Sequence, residues 1–174
     1  MGHTLVTRFS EESFARLQTL LSSVGADRYN KIPFGRDCDR EKADEVLPYH
    51  VTMLSWAKNS DALYLPRLDQ VRLKTCAIRV TGVDMSPAEE GSWFLYLDVQ
   101  PGSGFEEMRS HLQEVVGLYR YGAPHITVAI DKDRDSMTAL RDKLRNTGNF
   151  PIELEVSGLD LYHIWRPTKF VRTI

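Results

Sequence analysis

Two hydrophobic periods interleave along this chain, one of about two residues and one of three to four. Thr4-Leu5-Val6-Thr7-Arg8-Phe9 reads as a short strand. Ser10 then precedes Glu11 and Glu12, a helix cap followed by acids that suit the positive end of a helix dipole. Phe14, Leu17, Leu20, Leu21 and Val24 recur at helical spacing until Gly25 ends the run. From Asp27 to Leu47 no period holds, and Pro33 and Gly35 interrupt the stretch, which predicts an irregular connection with a short helical turn near Glu41 to Val46, placed as a flap beside a site.

Tyr49 to Trp56 predicts a strand, Leu63 to Leu68 has no defined period, and Val71 to Val83 predicts one or two strands. Trp93 to Val99 is strongly β in character. Pro101-Gly102-Ser103-Gly104 predicts a turn into a helix from Phe105 to about Leu118. A strand over Pro124 to Ile130 and a helix over Asp133 to Arg145 follow, and three β segments close the chain: Ile152 to Val156, Leu159 to Trp165 and Lys169 to Ile174. Strands and helices mixed in this way, with hairpins at the end, predict an α+β fold and exclude a doubly wound parallel sheet. No low-complexity linker divides residues 1–174, so one unit is expected.

The bulk composition narrows the partners. A hydrophobic fraction of 42% suits an ordinary core, and a formal net charge of -2 provides no global field for coating duplex nucleic acid. A polyanion would have to bind a local patch, which favours a short or small ligand. No apolar run is long enough to span a bilayer, and the first residues do not read as a signal peptide. Cys38 and Cys76 lie far apart without a partner motif, so reduced thiols and a cytoplasmic location are expected. A monomer is the simplest expectation. No P-loop motif and no zinc-ligand spacing occur, so no cofactor is expected.

One pattern appears twice: Pro48-Tyr49-His50-Val51-Thr52-Met53-Leu54 and Pro124-His125-Ile126-Thr127-Val128-Ala129. Residues two apart on a strand share a face, so His50 goes with Thr52 and His125 with Thr127. The apolar residues between them, Val51 and Met53 in one copy and Ile126, Val128 and Ile130 in the other, should turn into a core. In-line displacement at a phosphodiester needs a base for the entering oxygen and an acid for the leaving one. Histidine serves either role near neutral pH. Each threonine is placed to donate a hydrogen bond to a non-bridging oxygen, where negative charge gathers. A single His-x-Thr on a strand would mean little, since a strand histidine is usually just a hydrogen-bonded surface residue. The repetition carries the signal.

With these residues the chain resembles the 2H phosphoesterase superfamily, defined by two His-x-Thr/Ser motifs, which includes RNA 2′-5′ ligase-like proteins and cyclic nucleotide phosphodiesterases. The resemblance takes in both motifs, the strand from Phe94 to Val99, the helix after Gly104 and the closing strands around Leu159 to Trp165. It implies a duplicated, bilobal fold with two antiparallel sheets around a central groove and helices outside. It also implies His50 and His125 as the catalytic pair, with His125 the base and His50 the acid, and Thr52 and Thr127 as phosphate ligands. Ligase-like members carry an arginine soon after the second motif, whereas Val128-Ala129-Ile130-Asp131 supplies none here. The expected reaction is metal-independent cleavage of a 2′,3′-cyclic phosphate or of a 2′-5′-linked or cyclic oligonucleotide.

Other residues give weaker signals. His163, Trp165 and Tyr121 are candidates for stacking on a base, against the plainer reading of an aromatic sheet surface. Tyr119 is similar. Arg166, Lys169 and Arg172 form a basic cluster that equally suits a strand edge guarded by cations. His3 and His111 are expected in solvent. Three alternatives stand beside the hydrolase: a non-catalytic RNA- or nucleotide-binding module, a structural protein whose motifs only complete hydrogen bonds, and an enzyme working through a phosphohistidine.

Overall fold

The computed structural model describes residues 2–26, 49–88, 91–117, 122–164 and 169–174. The order of elements is β1 (Gly2–Phe9), α1 (Glu11–Ser23), β2 (Thr52–Ala57), α2 (Asp61–Leu68), β3 (Cys76–Pro87), β4 (Trp93–Pro101), α3 (Ser103–Val116), β5 (His125–Asp131), α4 (Arg134–Thr147), β6 (Ile152–Ile164) and β7 (Lys169–Thr173). The α+β class is as expected, but the strands form one seven-stranded antiparallel sheet rather than two. Its order is β2-β1-β6-β3-β4-β5, with β7 added to β6. The physical reason is the length of β6. Its 13 residues run through what reads in the sequence as two separate β segments. The first part pairs with β3 and the remainder with β1, so the strands of both halves join without a break.

This order is symmetric. Exchanging β1 with β4, β2 with β5 and β3 with β6, and reading backwards, returns the same sequence of strands. The irregularities obey the same exchange. Met53 is the extra residue where β2 meets β1, and Val128 is its counterpart where β5 meets β4. Ser157 is extra where β6 meets β1, and Thr81 where β3 meets β4. A bulge sharpens the local twist and re-aims side chains, so four matched bulges bend both halves alike. They also explain the burial pattern of each motif strand. Met53 and Leu54 are both buried, as are Val128 and Ala129, while Ile130 is only half-buried, contrary to simple alternation.

Leu5, Leu54, Leu95, Leu97, Leu159 and Leu161 join apolar residues of all four helices in one cluster. The helices are stopped and started locally. Ser10 Oγ accepts from Ser13 N at 3.4 Å to open α1, as its sequence predicts. Asp133 Oδ1 accepts from Asp135 N and Ser136 N, each at 3.1 Å, to open α4. Gly117 closes α3 with φ of 77°, a left-handed turn that glycine adopts without a steric penalty. Leu63 to Leu68 turns out to be helical, with Pro66 inside α2. His3 and His111 also depart from expectation. His3 is buried, hydrogen-bonded through Nδ1 to Asp61 at 2.8 Å and stacked on Trp56, and His111 accepts from Arg72 N at 3.4 Å.

Core truncation should therefore cost far more on the helix-covered face than at the surface. Ile126→Ala, at a residue with no exposure, is expected to lower unfolding free energy by roughly 2–5 kcal/mol. Leu63→Ala, at a residue 49% exposed, should change it by less than about 0.5 kcal/mol. Urea unfolding of both variants checks the difference.

Candidate active site

The two motif strands stand at opposite ends of the strand path, yet they meet. An isolated antiparallel bridge joins Val51 to Ile126. Both residues are buried, with 2% and 0% exposure, and this fixes their side chains on the core face. By strand alternation the residues on either side of them turn to the other face. Because the bridge is antiparallel, His50 lies on the Thr127 side of it and Thr52 on the His125 side. The two motifs thus run past one another head to tail about the Val51–Ile126 contact.

Each motif is anchored by its own half. Thr7 holds Val51 from both directions: its N–H donates to the Val51 carbonyl at 3.0 Å, and its Oγ1 accepts from Val51 N at 2.8 Å. Thr52 then pairs with Val6. On the other side, Arg109 of α3 is buried and donates to the Gly122 carbonyl at 2.9 Å, which ties the approach to the second motif. The Ala123 carbonyl lies 3.0 Å from His125 Nδ1. With the proton on Nδ1 in that contact, Nε2 is the ring atom available for exchange with a substrate. His125 pairs with Asp98 and Thr127 with Tyr96. His50 is buried, whereas His125, Thr52 and Thr127 are half-buried.

The pseudo-symmetry extends to the walls around each motif, and there the chemistry diverges. Val6 faces Thr52 as Tyr96 faces Thr127, and Thr4 faces Ser55 as Phe94 faces Ile130. Arg8 lies opposite Gly158, and in the matching place Asp98 lies opposite Gly82. Asp160 and Asp84 correspond likewise, opposite Val6 and Tyr96. In the first half Arg8 Nη1 is 3.8 Å from Asp160 Oδ1, and Thr173 Oγ1 bridges them, accepting from Arg8 at 3.2 Å and donating to Asp160 at 2.9 Å. In the second half the corresponding pair is two carboxyl groups. Burial first, and then the Asp84 charge, push Asp98 above the usual carboxylate range, against the pull of Arg145 and His125. Arg145 partly offsets Asp84, with Nη2 at 3.5 Å from its Oδ1. Burial, followed by both carboxylates, also raises the Tyr96 phenol, which stays neutral.

The sequence-derived stacking candidates are not part of this cluster where they can be judged. His163 pairs with His3 across β1, and the rings meet edge-on at 5.1 Å. His3 faces Trp56 and Asp61, so His163 stands on the side of the sheet that carries α2, remote in register from either motif. Trp165, Tyr119 and Tyr121 lie outside the described residues, as do the irregular stretch at 27–47, Cys38 and Arg166. Arg172 is paired with Asp69 at 2.6 Å and Lys169 is exposed, so the basic cluster reads as a guarded edge among the described residues. Cys76 is free and buried, with its thiol pushed up by that burial. The rings beside His125 belong instead to Phe94, edge-on at 5.2 Å, and Tyr96 at 5.6 Å. Sequence reasoning passed over them as ordinary strand aromatics. Their shared spacing of two, one strand away from the second motif, was the available signal.

The model of the 2′-5′ RNA ligase superfamily matches residues 5–166, and the chain belongs to this family, also known as the 2H phosphoesterases. Among solved structures it resembles TT0787 of Thermus thermophilus at 19% identity, covering 100% of this chain and 95% of that one, with a TM-score of 0.55. It resembles E. coli LigT in its apo form at 13% identity, covering 99% and 95%, with a TM-score of 0.54. The LigT complex with 3′-AMP gives 12% identity, 99% and 95% coverage, and 0.52. Kluyveromyces marxianus Usb1 gives 9% identity, 97% and 96% coverage, and 0.52. No curated protein sequence matches the chain. Among the described residues no three His, Cys, Asp or Glu side chains come together in a way that would hold a metal ion, and no helix is long and apolar enough to cross a membrane.

The raised Asp98 makes a prediction with a definite sign. A carboxyl whose folded pKa is raised binds its proton more tightly in the folded state, so its ionisation weakens the fold as pH rises through the raised value. Asp98→Asn should therefore raise the melting temperature slightly at pH 7. The gain should vanish below the ordinary carboxylate range, where Asp98 is protonated in both folded and unfolded chains. Thermal unfolding across pH checks this, and a loss of stability at pH 7 would contradict it.

Proposed function

We propose that the protein is a metal-independent phosphodiesterase for RNA ends or small nucleotides, with His50 and His125 as a paired acid and base. Residues 1–174 would act as one unit, each half supplying one motif. The observation that carries the reading is the Val51–Ile126 bridge. Diagonal neighbours across an antiparallel pair have side-chain origins roughly 7–8 Å apart. About that bridge His50 and His125 would stand in such a relation, which would leave room for one phosphoryl group between two imidazoles. Thr52 and Thr127 flank it and would donate to its non-bridging oxygens. Family membership supports the same class of chemistry, and the LigT complex with 3′-AMP has a comparable fold.

On a 2′,3′-cyclic phosphate the neutral imidazole takes a proton from water as its oxygen bonds to phosphorus. The charged imidazole gives a proton to the ribose oxygen whose bond to phosphorus breaks. A 2′-5′-linked substrate admits the same scheme, with a neighbouring hydroxyl or water entering. The family resemblance makes His125 the base and His50 the acid in hydrolysis, and the roles exchange in the ligating direction.

The expected pH–rate profile is bell-shaped, because one ring must be neutral while the other is charged. Purified protein screened against 2′,3′-cyclic nucleotides, 2′-5′ oligoadenylates and cyclic dinucleotides should turn over at least one class in excess chelator. His50→Ala and His125→Ala should each abolish that turnover, and Thr52→Ala or Thr127→Ala should lower kcat about 10²–10³-fold, the usual loss for one oxyanion donor. Full activity in either histidine variant would refute the pairing. Tight nucleotide binding without turnover at any pH would favour the binding-module alternative.

A further inference from the structure

The two halves of the sheet match strand for strand, but their walls do not, and the difference gives the face that carries the motifs a direction. On the second half Phe94 and Tyr96 lie side by side, ring centres 5.2 Å apart with planes inclined by 30°. Both are half-buried, on the face opposite the fully buried Leu95 and Leu97. Both touch the His125 ring, and Tyr96 stands directly across from Thr127. The same places in the first half hold Thr4 and Val6, both fully buried. Two aromatic rings left partly open on one side of a phosphate site and replaced by small, covered residues on the other are poorly explained as core filling.

The charges point the same way. Asp84 and Asp98 border Tyr96, one across the β3–β4 pair and one two residues along β4. A second phosphate would be repelled from this wall, Arg145 offsetting only part of the acid. A flat, neutral heterocycle carrying N–H donors meets neither objection. It stacks on the rings and can donate to the carboxylates. In the first half Arg8 occupies the place of Asp98 and offsets Asp160, so that side lacks the paired acids and better receives the anionic continuation of a substrate.

We propose that Phe94 and Tyr96 form the nucleobase platform of the site, so that the base attached to the reacting phosphate stacks over the second half. The ligand class is a nucleoside-bearing phosphate, in preference to a phosphodiester without a base. The proposal rests on the phosphate lying at the two motifs. Phe94→Leu/Tyr96→Leu removes the rings and keeps apolar bulk. Calorimetric titration with 3′-AMP should show affinity falling roughly ten- to a hundredfold, the range for loss of base stacking, while inorganic phosphate binds as to the parent. Tyr96→Phe, which keeps its ring, should bind 3′-AMP like the parent. It also serves as the folded control if the double variant proves unstable. An unchanged 3′-AMP affinity in the double variant, or an equal loss for inorganic phosphate, overturns the platform. Turnover assays separate this from the catalytic reading. A parent that turns nothing over while the double variant loses 3′-AMP sinks the acid–base assignment alone, and an active parent with unchanged variant affinity sinks the platform alone.

Discussion

A single contact between two β segments governs the arrangement of everything around the site. Val51 and Ile126 come from opposite ends of a six-strand path, and their antiparallel bridge joins the two motifs. Both side chains are buried in the cluster shared with the helices, so the hydrophobic effect holds the bridge from behind. An apolar residue between histidine and threonine therefore has two consequences. It faces the core, and it forces its polar neighbours to the opposite surface. Were either residue polar, its strand would lose its anchor and the imidazole its direction. Thr7 and Arg109 add the polar restraints, one from a strand and one from a helix, that set where each motif begins.

The internal symmetry of the sheet explains how a chain of this size presents the same His-x-Thr motif twice. A repeated unit of strand, helix, motif strand and helix closes on itself through β3 and β6, with matched bulges on either side. Symmetry alone would make the two histidines interchangeable, which suits a reversible acid–base pair but says nothing about which way a substrate lies. On the proposed reading, the departures from symmetry supply that direction. Arg8 and Asp160 face one motif, whereas Asp98 and Asp84 face the other beside two aromatic rings. Gly158 and Gly82 are the matching residues beneath Arg8 and Asp98. A Cβ at Gly158 would stand 2.6 Å from the Arg8 guanidinium, so the absence of a side chain there lets the arginine lie across the sheet.

Much of this was legible in the sequence, for identifiable reasons. Helical spacing, with Ser10 as a cap for the first, placed α1 and α4, and the doubled His-x-Thr placed both motif strands. Pairing between distant strands was not legible. The continuity of β6 could not be foreseen across Ser157-Gly158, which read as a break between strands and proved to be a bulge within one. The bulges at Met53 and Val128 likewise broke the strict alternation used to assign Ile130 to the core. Which face of the sheet carries His163 was not legible, because alternation tells which residues share a face but not which face it is. That was settled only by its pairing with His3, itself tied to Asp61. Phe94 and Tyr96 were overlooked because strand aromatics are common, and only their contact with His125 distinguishes them.

The central claim is that one phosphorus is held between both imidazoles, and nuclear magnetic resonance of the histidine ring nitrogens tests it without relying on turnover. In protein labelled with ¹⁵N at histidine, titration with inorganic phosphate should move the His50 and His125 ring signals together, along curves with one shared Kd, while His3 and His163 stay still. Movement of only one motif histidine, or two curves with separate affinities, would contradict the account.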